Sequence, residues 1–345
     1  MDKRPEITVA ITTHNLEKHI EKCISELLTQ SFQDFEIIVY DDCSSDATPE
    51  LLRALLPGCS DRMKVLFGTV PNGNEGGSRN AILNSGLIRG KYMVFLDGDD
   101  SIEPDFLEKL YDCAVKNSAD IAMCGYDRVE FETGHVLGRE MVKQRPAFTL
   151  PENGASLAFL NNALWNKIFH VRMIGDTRFQ SLKVGADLVF MISIYQKCPR
   201  LAFTEEVLIH YMVHPQSMIS NVSQTSANCL IDELVSLWRA NKDTPSREMI
   251  ALYSFMHIGL SMPFRMAADK KIDMKAVLSH ITSIFREEYN WFRGIRQMRL
   301  LPMMGLGLKG FAMWCALVCY KLHIFPLFLR FYYFLTGTFH IDIKY

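Results

Sequence analysis

Apolar residues in this chain fall into short unbroken runs that alternate with stretches at helical spacing. Residues 7–13, ITVAITT, are apolar and β-branched, as in a buried strand. Ile20, Ile24, Leu27 and Leu28 follow at helical spacing within 17–30. FEIIVYDD (35–42) predicts a second strand. A helix over 48–56 comes next, with Ser45 or Asp46 as its cap and Pro49 in its first turn. MKVLFGT (63–69) is a third strand, a helix follows at about 78–88, and KYMVFLD (91–97) is a fourth strand. Pro104 opens a helix that runs to about 117. Beyond it, 120–131 and 201–212 read as strands, 155–170 and 186–196 as helices, and 226–289 as helical.

Strands alternating with helices predict an α/β fold with a mostly parallel, Rossmann-like sheet flanked by helices. In such sheets ligands sit beyond the carboxyl ends of the strands. The polar residues cluster there: Thr12 to Asn15, Asp41 and Asp42, and Asp97 to Asp100.

The third of these clusters raises a charge problem. Asp97, Asp99 and Asp100 follow directly on the apolar run Tyr92 to Leu96. Carboxylates this close need a compensating charge, and a divalent cation held through oxygen supplies it. The plainer alternative is a solvated acidic turn ahead of the Pro104 helix. No G-x-x-x-x-G-K-[ST] occurs, and no G-x-G-x-x-G follows the first strand. A nucleotide phosphate bound through a metal is what remains.

Composition adds limits. The 345 residues allow one large domain or two smaller ones, and a net charge of −2 gives no reason to expect nucleic acid as a partner. Nine cysteines without a C-x-x-C pair argue against a zinc site or a disulfide framework. With a start, MDKRPEITVAITT, that lacks a signal-peptide apolar region, they set the expectation of a cytoplasmic protein. One stretch departs from the average. From Trp291 to His340 there is no acid, while Arg293, Arg296, Arg299, Lys309, Lys321 and Arg330 stand among aromatic and aliphatic residues. Helices lying on an anionic leaflet suit this pattern, and so do a buried helical core or a hairpin into the bilayer.

Six segments in order resemble the inverting glycosyltransferases of family 2, with the GT-A fold: VAITTHN (9–15), FEIIVYDDCSSDAT (35–48), NEGGSRNAILNSGLIRGKYMVFLDGDD (74–100), LWNKIF (164–169), GADLVF (185–190) and HYMVHPQSMIS (210–220). The resemblance implies a catalytic domain over 1–220, with a nucleotide-binding half to about 100 and an acceptor half beyond it. Residues 221–345 would be a helical extension carrying a membrane-associating segment at about 291–340. It implies a UDP-sugar donor and a saccharide or lipid-linked saccharide acceptor at the cytoplasmic face of a membrane.

Residue by residue, the resemblance places Thr12, His14 and Asn15 at the nucleotide and gives Asp42 the uracil N3 contact. Arg79, Asp97 and Gly98 would meet the nucleotide-sugar. Asp99, with Asp97, would hold Mn²⁺ or Mg²⁺, and Asp187 would be the base. Lys167 would offset phosphate charge, and Trp165, Asn166, His214 and Ser217 would touch acceptor or diphosphate. Two positions depart from the family pattern: Ala186 replaces a usual Glu, and Met212 replaces a usual Arg. A sugar nucleotidyltransferase is the other enzyme reading, although TTHNLEKH (12–19) lacks the Gly-rich basic loop that class carries after its first strand. A membrane-associated scaffold that keeps the fold is the non-enzyme reading.

Overall fold

A computed structural model describes residues 4–59, 61–142, 147–149, 154–213, 222–267, 269 and 271–331. These form two compact units, one from residues up to 152 together with 161–216, the other from 153–160 and 217 onward.

In the first unit ten strands form one sheet: β1 (Ile7–Thr13), β2 (Phe35–Asp41), β3 (Met63–Phe67), β4 (Tyr92–Asp97), β5 (Ser101–Ile102), β6 (Ile121–Glu130), β7 (Val136–Glu140), β8 (Ala147–Thr149), β9 (Lys167–His170) and β10 (Arg200–Val213). The main order is β3-β2-β1-β4-β9-β6-β10-β5. The pairs β3·β2, β2·β1, β1·β4 and β6·β10 are parallel. Strand β9 is antiparallel to both neighbours, β4 and β6, so those two also run the same way. All the long strands therefore deliver their carboxyl ends to one edge. Every residue of β2 is buried, and β1 exposes only Thr12 in part, as a sheet covered on both faces requires.

The helices of this unit are α1 (Ile20–Leu28), α2 (Thr48–Cys59), α3 (Glu75–Asn84), α4 (Phe106–Lys116), α5 (Val171–Ile174) and α6 (Ala186–Tyr195). Asp46 accepts the Thr48 amide at the start of α2 at 3.0 Å. Helix α3 starts earlier than its apolar spacing predicts, because Asn74 caps it by accepting the Gly77 amide at 2.8 Å.

Residues 155–170 correct an expectation. They are not one helix but a 3₁₀ turn (Gly154–Phe159) followed, after a loop, by β9. Leu157, Leu160, Leu164, Trp165 and Ile168 mimic helical spacing. Asn161, however, turns the chain by accepting the Ala163 amide at 2.8 Å. The following residues then satisfy their backbone between β4 and β6, where a ladder on both sides outweighs local periodicity.

The second unit is helical: α7 (Gln224–Ala240), α8 (Arg247–Ser254), a π-helical segment (Phe255–Ser261), α9 (Met262–Met266), α10 (Met274–Glu287), α11 (Leu300–Met304) and α12 (Gly307–Lys321). Its centre is aromatic. Trp238 stacks on Tyr289 with centroids 4.9 Å apart, and Phe255, Phe285 and Tyr320 meet beside them. Two buried hydroxyls find carbonyls: Tyr253 donates to Leu157 at 2.6 Å and Tyr320 to Gly259 at 2.8 Å.

Candidate functional site

Register brings the strand ends together. Thr12, near the end of β1, is level with Tyr40 on one side and with Asp97 on the other. Adjacent strands lie about 4.8 Å apart, so three polar strand ends share one short stretch of edge. The loops that leave β1 and β2 are laced to each other. The Asn15 amide donates to Ser44 Oγ at 2.8 Å, and Asn15 Oδ1 accepts from the Ser45 amide at 2.8 Å. Asp41 is used internally, accepting from Thr13 Oγ1 at 3.1 Å and from Ser44 Oγ at 2.6 Å. The His14 ring meets the Asp42 carbonyl through Nδ1 at 2.8 Å. A carbonyl only accepts, so Nδ1 carries the proton there. The Asp42 carboxylate is fixed by a residue the sequence reading missed. Asn72 donates to Asp42 Oδ1 twice, from its backbone and from its side-chain amide, each at 2.9 Å.

Arg79 is the hub of the site. It is 2 % exposed, and its guanidinium faces three carboxylates. Nη1 donates to Asp187 at 2.6 Å, while Nη2 donates to Asp97 at 2.8 Å and to Glu75 at 2.5 Å. Burial opposes its charge, but Asp187, Glu75 and Asp97 outweigh that and hold its pKa above the ordinary arginine value. Three carboxylates around one cation leave excess negative charge. Burial raises the Asp187 pKa, with Asp97 adding to the rise and Arg79 opposing it. Burial likewise carries Glu75 well above the usual carboxylate range. Glu75 was also missed from sequence. It brings a carboxylate to Arg79 beside Asp187, whose preceding residue is Ala186.

The loop before α6 carries Asp187 to Arg79 because it is tied along α3. Asn80 holds Phe179 at both backbone groups, with distances of 2.9 Å, and Arg178 donates to Asn84 at 2.7 Å. Gly76 allows this approach, since a Cβ there would lie 2.9 Å from Phe179 Cβ. Gly185, with φ of +81°, turns the chain into α6 so that Asp187 falls in its first turn.

At the end of β4, Gly98 is buried and Asp99 half-buried. Asp100 is buried. Its Oδ1 accepts the Met212 amide of β10 at 3.0 Å, while Oδ2 has no hydrogen-bond partner among the described residues. Burial, with the charges of Asp97 and Asp99, raises its pKa well above the ordinary value. No group of three or more His, Cys, Asp or Glu among the described residues is arranged to hold a metal ion. The donor chemistry still fits a hard cation. Asp97, Asp99 and Asp100 stand within four positions at this turn, and a shell of one or two carboxylates is completed by water and phosphate.

Asn166 and Lys167 are fully buried. Asn166 donates to the Cys124 carbonyl at 2.9 Å and accepts from Lys167 Nζ at 2.7 Å, and Lys167 also donates to the Ala163 carbonyl. Burial pulls the Lys167 pKa down to about 7, while Asp187 favours its charged form. Trp165 stacks on Tyr211 at 5.2 Å and meets Tyr126 edge-on at 4.7 Å. His214 and Ser217 lie outside the described residues. A cavity of about 220 Å³ opens elsewhere, at the amino end of β4 between Leu83, Met93 and Ile174, and its lining carries no carboxylate.

Comparison with known proteins agrees with this architecture. Residues 8–175 match the model of glycosyl transferase family 2. Glycosyltransferase GlyA of Streptococcus pneumoniae is 28 % identical over 262 residues, which are 72 % of this chain and 37 % of GlyA. The chain thus matches little more than a third of that relative's length. The crystal structure of residues 1–349 of Staphylococcus aureus TarS in complex with UDP-GlcNAc superposes with a TM-score of 0.72 at 17 % identity, covering 92 % of each chain. The mannosyltransferase PcManGT of Pyrobaculum calidifontis, in complex with GDP-Man and Mn²⁺, superposes with a TM-score of 0.52 at 15 % identity, covering 94 % of this chain and 88 % of its own. The fold is GT-A, with helices following the sheet unit in the chain.

Proposed function

Residues 8–175 form a glycosyl transferase family 2 domain, and on that premise we propose that the protein moves a hexose from a UDP-sugar to a hydroxyl of a saccharide or lipid-linked saccharide. The transfer is a single displacement that inverts the anomeric centre. One observation carries the reading: a single buried guanidinium joins the carboxylate at the end of β4 to the carboxylate at the start of α6. An acid suited to the donor phosphates and an acid suited to an acceptor hydroxyl are therefore neighbours.

In this mechanism Asp187 takes the proton of the attacking hydroxyl. Its raised pKa makes it a better base than an exposed aspartate. The acceptor oxygen bonds to the anomeric carbon as the bond from that carbon to the phosphate oxygen breaks, and UDP departs with the electron pair. Asp42, held by Asn72, accepts the uracil N3–H, while Thr12, His14 and Asn15 line the nucleotide side. Asp99 and Asp97 would hold Mn²⁺ or Mg²⁺, which when bound neutralises the diphosphate leaving group. Lys167 favours the ionised form of Asp187. His214 and Ser217 are assigned to acceptor or diphosphate, while Asn166 and Trp165, which are buried, would support that site rather than touch it. The basic apolar stretch 291–340 would hold the enzyme at an anionic membrane, on its cytoplasmic face, where a lipid-linked acceptor of polysaccharide assembly is presented.

The UDP-GlcNAc complex of TarS supports a UDP-sugar donor, and the Mn²⁺ complex of PcManGT supports a divalent metal. The test is UDP release from a panel of UDP-sugars, with and without Mn²⁺. A glycosyltransferase releases UDP from its own donor, faster with metal. With pyrophosphate added, a sugar nucleotidyltransferase would instead turn the UDP-sugar into UTP and sugar 1-phosphate, and a scaffold would release nothing; either result overturns the proposal.

A further inference from the structure

Helix α12 is apolar on two opposite sides, and the structure buries only one. Its inner stripe is Gly310, Met313, Leu317 and Tyr320. With 3.6 residues per turn, Leu308, Phe311, Cys315, Val318 and Leu322 form a second stripe on the far side. That stripe is open towards its ends, with Leu308 86 % exposed, Leu322 62 % and Phe311 43 %, and Cys315 and Val318 half-buried between them. The exposure extends to both sides of the helix, with Leu301 at 78 %, Leu327 at 61 % and Phe331 at 59 %. A helix apolar all round is ordinarily buried all round, so the outer stripe calls for a cover.

Charge identifies the cover. All six cations between Arg293 and Arg330 are exposed, and no acid stands among them. A second copy of this chain laid on the stripe would set these cations against themselves. An acidic lipid surface complements them and accepts the apolar side chains at the same time. Spanning is not an option for the described helices, since none is long and apolar enough to cross a membrane. At 15 residues α12 is about 22 Å long, short of the roughly 30 Å hydrocarbon core.

We propose that α12 lies flat in the interfacial layer of an anionic bilayer, with Leu308, Phe311 and Leu322 in the acyl boundary and Lys321 and Arg299 at the headgroups. This rests on the reading of 291–340 as the membrane-facing segment and gives it a face and a depth.

The experiment uses the full chain and vesicles of phosphatidylcholine, with and without phosphatidylglycerol, read by co-sedimentation. The wild type is expected to sediment with the phosphatidylglycerol vesicles and less with the neutral ones. Leu308→Ser with Phe311→Ser should lower partitioning to both vesicle types at least about tenfold. Arg299→Gln with Lys321→Gln should remove the preference for the anionic vesicles and leave the neutral ones unchanged. Both pairs replace exposed side chains, and retained UDP affinity together with an unchanged circular dichroism spectrum shows that they fold. Absence of wild-type binding, or equal binding by the serine pair, overturns the proposal. A dimer that the serine pair splits to monomers overturns it in favour of self-association. UDP release with a soluble acceptor and no vesicles tests the transfer reading separately, so either reading can fail while the other stands.

Discussion

Replacing Asp187 by Asn changes one charge and little shape. The amide oxygen can still accept from Arg79 Nη1, which now donates to Asp187 Oδ1 at 2.6 Å. The carboxylates of Glu75, Asp97 and Asp187 crowd the Arg79 guanidinium, and the variant has one acid fewer there. Losing a charged hydrogen bond costs about 1–2 kcal/mol, and relief of repulsion among the remaining acids offsets part of that. Folding stability should therefore change by no more than about 1 kcal/mol in urea titration. Transfer should change far more. A general base contributes roughly 10²–10⁴-fold, about 3–5 kcal/mol of barrier. Asp187→Asn should release UDP from the preferred donor slower by that factor while binding UDP normally by calorimetry. With Asp187 as the base, the active form is the deprotonated one, so the rate should fall as pH drops through the raised Asp187 pKa. That acid limb should lie above the range of an exposed aspartate and vanish in the variant. Turnover within threefold of wild type would remove Asp187 from the role of base. Loss of UDP binding would make it a donor contact instead.

Asp99→Ala should abolish the gain in UDP affinity that Mn²⁺ confers; an unchanged Mn²⁺ dependence would refute the metal assignment. Asn72→Ala removes a side-chain donor from Asp42 and should raise the donor KM about five-fold at constant kcat, roughly 1 kcal/mol, with weaker discrimination of UDP from CDP in competition assays. Arg79→Met leaves three acids without their cation and should cost about 3–5 kcal/mol in urea unfolding. Lys167 gives a pH test. Its folded pKa of about 7 lies below the ordinary lysine value of 10.5, so the unfolded chain binds the extra proton between those limits and stability rises with pH across the window. Lys167→Met should flatten that slope, and a slope equal to wild type between pH 7 and 10 would show that the buried amine is not its source.

The part of the site that was legible in sequence is the part the strands carry. An apolar run that stops at a polar residue marks a strand end, and a parallel sheet gathers such ends on one edge. Thr12, Asp42 and Asp97 could be named from that rule alone. Glu75 and Asn72 could not. Each sits in the loop-and-turn stretch PNGNEGG, whose composition announces only a turn and a helix start. What gives them work is separation in sequence: Asn72 reaches Asp42 across 30 positions, and the acid that shares Arg79 with Glu75 lies 108 positions beyond that arginine. Periodicity spans a window of a dozen or so residues, so it cannot report such pairings. It failed at 155–170 for the same reason, because two distant strands, β4 and β6, decide that 167–170 is extended. The same limit applies to α12. Its sequence is apolar on all sides and reads equally as core or as membrane contact, and only the packing of Met313, Leu317 and Tyr320 against its own unit shows which stripe is left over. The residues that sequence misses here are those whose partners lie on another element, and Arg79, which faces Glu75 on its own helix, Asp97 on β4 and Asp187 on α6, is where such partners were to be sought.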